Sequence, residues 1–169
     1  MALWVRNPAA WLACLLALLC SAPAWGGLSA YDARYSIYRN GKLIGKLEIE
    51  LANRGGVWEL NSTGSGTHGL ARILRAKDRE QVTGRVEDGQ FVPGRHTRHT
   101  RVAGIDDKWE SIFDWQSNQV TVVHDGKKES VLSLQGEALD PLSLKLEMRR
   151  RLEESNADLS FLMVEEDEI

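Results

Sequence analysis

Beyond residue 20 this sequence contains no cysteine; its only two thiols, Cys14 and Cys20, lie in an apolar N-terminal segment. Once that segment is removed, disulfides, thiolate nucleophiles and cysteine-ligated metals are excluded together. A lipid anchor is not expected: Cys20 follows Leu18-Leu19 rather than a small residue, and Cys14 sits too early in the apolar run. No serine stands in a nucleophile-elbow pattern, and no spacing pairs carboxylates for acid–base work. Among the four histidines, His96 and His99 are three apart in an extended segment and so point to opposite faces, a poor metal pair. No block of like charge is long enough to serve as a nucleic-acid tail. The sequence therefore predicts no enzyme, no metal site and no cofactor.

What stands at the N-terminus is an address. MALWVRNP carries one positive charge, Arg6, and the apolar run AAWLACLLALLC and then SAPAWG follow it. A basic start, an apolar core and small residues at a cleavage point are the order of a secretory signal. Ala22-Pro23-Ala24 places cleavage after Ala24, with Ala30 as the alternative. A membrane anchor is disfavoured because Pro23, Gly26 and Gly27 interrupt the second half of the stretch and no Lys/Arg cluster stops transfer. Residues 25–169 then form a single domain of 145 residues, large enough to bury its own core. Charge along this domain is uneven: residues 72–101 hold 8 basic and 4 acidic side chains, residues 102–169 hold 7 and 16.

The mature chain repeats one theme, alternating runs of eight to twelve residues separated by turn residues. In KLIGKLEIELA, Leu43, Gly45, Leu47, Ile49 and Leu51 face one way and Lys42, Lys46, Glu48 and Glu50 the other. Period two is the signature of a half-buried strand. Asn40-Gly41 joins it to YDARYSIYR, and this dipeptide is a strong hairpin signal because both central positions of a type I′ turn need positive φ. Further turns at 87–90, 103–108, 116–119 and 124–127 separate further strands. The fold class is all-β, mainly antiparallel: a curved meander forming a barrel or half-barrel. One helix is expected late, with Asp140 at its N-cap, Pro141 at its first position and an apolar stripe of Leu142, Leu146, Met148 and Leu152. LSFLMV is expected to add a last short strand.

GSGTHG (64–69) has the G-x-G-x-x-G spacing of a dinucleotide-binding loop. That loop needs a buried parallel strand before it and a helix after it. Here VWELNST alternates and turns polar, and LARILR is short. We expect no nucleotide. The glycines instead release the chain into a helical turn near 69–75, whose Leu70, Ile73 and Leu74 would plug one end of the barrel.

Two further features are candidate ligand groups. RHTRHTR (95–101) has no apolar face: Arg95, Thr97, His99 and Arg101 point one way, His96, Arg98 and Thr100 the other. It reads either as an edge strand, whose charges discourage pairing with another chain, or as an anion-binding stripe of Arg95, Arg98 and Arg101. Trp58, Trp109 and Trp115, with Phe113, either line a hydrophobic ligand cavity or form the core.

The opening Y-x-A-x-Y-x-I-Y-x-x-G-x-x-I-G (31–45), F-V-P (91–93), F-D-W (113–115) and D-P-L-S before a helix (140–143) together resemble a bacterial exported family, domain of unknown function 3108. The resemblance spans the mature chain nearly end to end. It implies a β-rich, barrel-like domain in a Gram-negative periplasm or envelope, with no established activity and no catalytic residues to carry over. Family members continue through more strands, whereas this sequence stops at Ile169. It is expected to be a shortened member or an early-ending frame, with an unpaired sheet edge in the second case. The expected role is to bind a lipid or other apolar or amphiphilic envelope molecule, or an envelope protein, without a membrane span after signal cleavage. The alternative is a structural or protein-interaction module of the envelope, and a hydrolase whose residues no linear motif reveals is the third reading.

Overall fold

A computed structural model describes residues 28–134, 136–153 and 160–164 of the chain. The expected signal peptide, 1–24, lies outside the described residues. Eight strands follow one another in a single antiparallel sheet: β1 (Tyr31–Arg39), β2 (Lys42–Arg54), β3 (Val57–Gly66), β4 (Lys77–Glu87), β5 (Gln90–Val102), β6 (Ile105–Asp114), β7 (Gln119–His124) and β8 (Lys127–Ser133). Their order in space equals their order in sequence, with β1 and β8 as the two edges. The expected meander is therefore observed, in the open, curved form rather than as a closed barrel.

Turn chemistry explains this regularity. Five of the connections are two-residue turns, and both residues have positive φ: Asn40-Gly41, Gly55-Gly56, Asp88-Gly89, Ala103-Gly104 and Asp125-Gly126. These are the turns whose twist matches that of the flanking strands, so each hairpin is set locally. One β-bulge breaks the register between β4 and β5, where Thr83 faces Arg95 but Gly84 faces Pro93, leaving Gly94 unmatched. A Cβ on Gly84 would stand 2.4 Å from the Val92 carbonyl oxygen and 2.7 Å from Phe91, so only glycine fits there.

The remaining elements are α1 (Gly69–Ile73), β9 (Ala138–Leu139), α2 (Pro141–Glu153) and β10 (Leu162–Met163). β9 and β10 pair in parallel, away from the main sheet. The helix α2 begins as its sequence predicts. Asp140 Oδ1 accepts the Leu142 and Ser143 N–H groups at 2.9 and 3.0 Å, and its Oδ2 accepts the Ser143 hydroxyl. Leu142 and Leu146 pack onto Leu51, Leu60, Val82 and Phe91, one face of the sheet, hereafter the inner face. A second cluster, Phe113, Val120, Leu134, Ala138 and Val164, lies under β9 and β10.

Three expectations are corrected. RHTRHTR is not an edge: β5 lies in the middle of the sheet, and its charges are tolerated because β4 and β6 place Asp78, Glu80, Asp106 and Glu110 beside them. Ile73 and Leu74 do not plug an end of the sheet, being 74% and 38% exposed; Leu70 has no described side chain. α1 is one short turn, and the inner face is covered from the other end by α2. Met148 and Leu152 do not belong to the helix's buried stripe, which is Leu142, Ser143, Leu146 and Glu147. At about 100° per residue, positions 148 and 152 fall on the side opposite the centre of that four-residue stripe.

Candidate functional site: the uncovered half of the inner face

Strand direction divides the inner face into two halves. α2 and the segment around β9 cover the half nearest the 55–56, 88–89 and 116–118 turns. The half nearest the 40–41, 103–104 and 125–126 turns is the less covered one: Lys145 of α2 reaches into it at Glu80, and the short α1 lies against β2 and β3. Cross-strand partners share a face, so the registers give the contents of this uncovered half. One row runs Ala33, Ile49, Ser62, Glu80, Arg98, Trp109 and His124, and the next runs Tyr35, Leu47, Gly64, Asp78 and Thr100.

The β1–β3 side of this half is apolar and poor in side chains. A shallow groove of about 350 Å³ runs from Ile37 and Leu47 past Gly64 and Gly66 to Ala76, Asp78, Thr100 and Val102, and so reaches across to β4 and β5. Glycine inside a strand weakens it and often marks a place of close approach. Gly64 is not forced by packing: a Cβ there would make only ordinary contacts, 3.7 and 3.8 Å from Asp78. The missing side chain leaves open space.

The β4–β7 side is polar and internally paired. His96, buried between sheet and helix, brings Nε2 within 3.3 Å of Glu80 Oε1 and 3.9 Å of Asp140 Oδ1, the N-cap of α2. Lys145 of α2 reaches Glu80 Oε2 at 3.6 Å. Burial pushes the Glu80 carboxyl up, but the His96 hydrogen bond and the charges of Lys145, His96 and Arg98 outweigh it, so its pKa lies below the ordinary carboxylate value. Facing this carboxylate, which accepts but cannot donate, His96 carries its proton on Nε2. The D-P-L-S helix start is thus tied to the sheet through the same histidine. Asp78 accepts a hydrogen bond from the Thr100 hydroxyl at 2.7 Å and lies 3.5 Å from Arg98 Nε.

Farther along, Trp109 and His124 stack at 4.0 Å between centroids with 5° between planes. His124 Nε2 lies 2.7 Å from Asp107 Oδ1, and the hydrogen bond that the ring donates to this carboxylate raises the imidazole pKa above its ordinary value.

The sequence-predicted groups are dispersed. Of the arginines, only Arg98 faces inward; Arg95 and Arg101 lie on the outer face, paired with Glu110 at 2.6 Å and Asp106 at 2.6 Å. The tryptophans line no common cavity. Trp58 packs against the core under α2, and Trp109 stacks on His124. Trp115 donates to the Pro93 carbonyl at 2.6 Å and borders a small pocket of about 170 Å³ with Phe91, Pro93, Ala138 and Leu139. The residues missed in sequence were Glu80, Gly64 and the Asp107–His124 pair, which only strand register brings together. The G-x-G-x-x-G loop is no cofactor cradle: Gly64 and Gly66 lie within β3, between two antiparallel neighbours.

An open antiparallel meander with a helix laid across half of one face defines a β-rich domain of the barrel-like class. Residues 31–165 match the family described as "Protein of unknown function (DUF3108)", and the chain belongs to that family. No curated protein and no solved structure matches it. No helix among the described residues is long and apolar enough to cross a membrane.

Proposed function

We propose that this protein is exported to the bacterial envelope and binds an amphiphilic molecule, without catalysis, on the uncovered half of its inner face. The observation that carries the reading is a single groove whose β1–β3 end is bare and apolar at Ile37, Leu47 and Gly64 and whose β4–β5 end carries Asp78 and Thr100, with Arg98 3.5 Å from Asp78. An amphiphile presents the same division: its chain lies along Ile37, Leu47 and Gly64, and its headgroup meets Asp78, Arg98 and Thr100. Concave sheets with an apolar lining and a few fixed polar groups are common ligand sites. The N-terminal pattern of Arg6, the apolar run and Ala22-Pro23-Ala24 supports export to the periplasm and cleavage of the first 24 residues. The partners that lower the Glu80 pKa disfavour this carboxyl as a general acid.

The test is titration of a fluorescent fatty-acid analogue into the chain and into Gly64→Phe. Saturable binding that Gly64→Phe abolishes supports the reading; equal binding by both variants, or none by either, contradicts it.

A second reading, an interaction module, is favoured by one observation. The edge strand β1 exposes Tyr35, Ile37 and Tyr38, at 52%, 45% and 63%. An unpaired apolar edge is a template for strand addition by another chain.

A further inference from the structure

We propose that Asp107, His124 and Asp125 form a binding site for a divalent first-row transition cation, of which zinc is the type. One ligand atom from each of the three lies within 4.8 Å of the others. His124 Nε2 is 2.7 Å from Asp107 Oδ1 and 3.8 Å from Asp125 Oδ2. In a tetrahedral zinc site, bonds of about 2.0–2.2 Å place donor atoms about 3.3 Å apart. The first distance must therefore lengthen and the second shorten by about half an ångström each, and the two carboxylate oxygens, within 4.8 Å of each other, must settle at the same spacing through side-chain rotation.

The imidazole and the orientation of its neighbours distinguish this group from an ordinary surface ion pair. Each carboxylate has its other oxygen held from outside the group. Asp107 Oδ2 accepts the Trp109 indole N–H at 3.0 Å, and Asp125 Oδ1 accepts the Lys108 backbone N–H at 3.2 Å. The oxygens left over, Asp107 Oδ1 and Asp125 Oδ2, are the two directed at Nε2. The imidazole ring is held flat against Trp109. On its far side Nδ1 lies 3.7 Å from Glu129 Oε1, so a carboxylate stands behind the ring as it does behind many metal-bound histidines. The frame is rigid, since Trp109 pairs with His124 across β6 and β7 and the Asp125 N–H donates to the Lys108 carbonyl at 2.9 Å.

Ligand type sets the class of cation. Calcium and magnesium take oxygen ligands alone, whereas one imidazole with two carboxylates suits zinc, copper or nickel. On binding, the cation replaces the proton that His124 shares with Asp107, and water completes the coordination. The three side chains are 32%, 37% and 53% exposed for His124, Asp107 and Asp125, so the site is open to solvent.

The test uses the full chain, expressed with its own N-terminus and without a histidine tag. Calorimetry with zinc chloride should show one ion per chain, and Co²⁺ should give the visible absorption of a four-coordinate site. His124→Ala and Asp107→Asn should each abolish both signals, while His99→Ala leaves them unchanged. Trp109→Phe keeps the stack but removes the N–H that orients Asp107, and should weaken binding about tenfold or more. Unchanged circular dichroism separates loss of ligands from loss of fold. The proposal is overturned if no stoichiometric binding occurs, if binding survives His124→Ala, or if His99→Ala abolishes it as well.

Discussion

His96 Nε2 lies 3.3 Å from Glu80 Oε1, and both side chains are almost fully buried where the sheet meets the start of α2. Since the folded protein lowers the pKa of Glu80, this group stabilises the fold above its unfolded pKa and ceases to do so as pH falls through the folded value. Glu147 adds in the same sense: burial raises its carboxyl, but Arg150 and Arg151 outweigh it. Thermal stability should therefore decline on acidification from about pH 4.3 downward, the unfolded glutamate range. Glu80→Gln should flatten that decline and lower stability at neutral pH, as melting curves across pH 3–7 would show (roughly the span over which glutamates titrate). A wild-type melting temperature unchanged down to the bottom of that range would contradict the ion-pair account.

Removing the N-cap tests the attachment of the helix. Asp140→Ala leaves two N–H groups and the buried Ser143 hydroxyl without their acceptor. The expected cost is about 2 kcal/mol or more, read as a lower denaturant midpoint with an unchanged slope.

Ala103 is the first residue of the β5–β6 turn and has φ 54°, the left-handed region that side chains avoid. Asparagine or glycine there should stabilise the protein by about 1 kcal/mol, measured by chemical unfolding. The other four two-residue turns have Asn, Asp or Gly at this position.

Gly64→Phe should fold at least as stably as the parent, because a Cβ meets only ordinary contacts and an aromatic suits a strand better than glycine. A melting temperature equal to or above that of the parent, with ligand binding lost, is the expected pair of results.

Much of the fold was legible. Asn40-Gly41, the period-two run 42–51 and Asp140-Pro141 each encode their structure locally, so the strands, the hairpins and the helix start follow from neighbours in sequence. The site was less so, for a reason that register makes clear. Extending the β6–β7 turn from Asp114↔Gln119 places Trp109 opposite His124, as observed, so that pair was within reach of strand counting. Extending the β4–β5 turn from Glu87↔Gln90 would place Thr97 opposite Glu80 and put His96 on the other face. The bulge at Gly94 shifts the register by one and turns His96 inward to meet Glu80. Nor does any local signal reveal that α2 covers only half of the inner face, because that depends on which strands Leu142 and Leu146 reach.

The most direct test of the binding account is native mass spectrometry of the protein, gently purified from the cells that express it, alongside Gly64→Phe prepared in the same way. The account predicts an additional mass in the lipid range on the parent protein, removed by organic solvent and missing from Gly64→Phe. A parent protein that carries no such mass, or a Gly64→Phe variant that carries the same one, would contradict it.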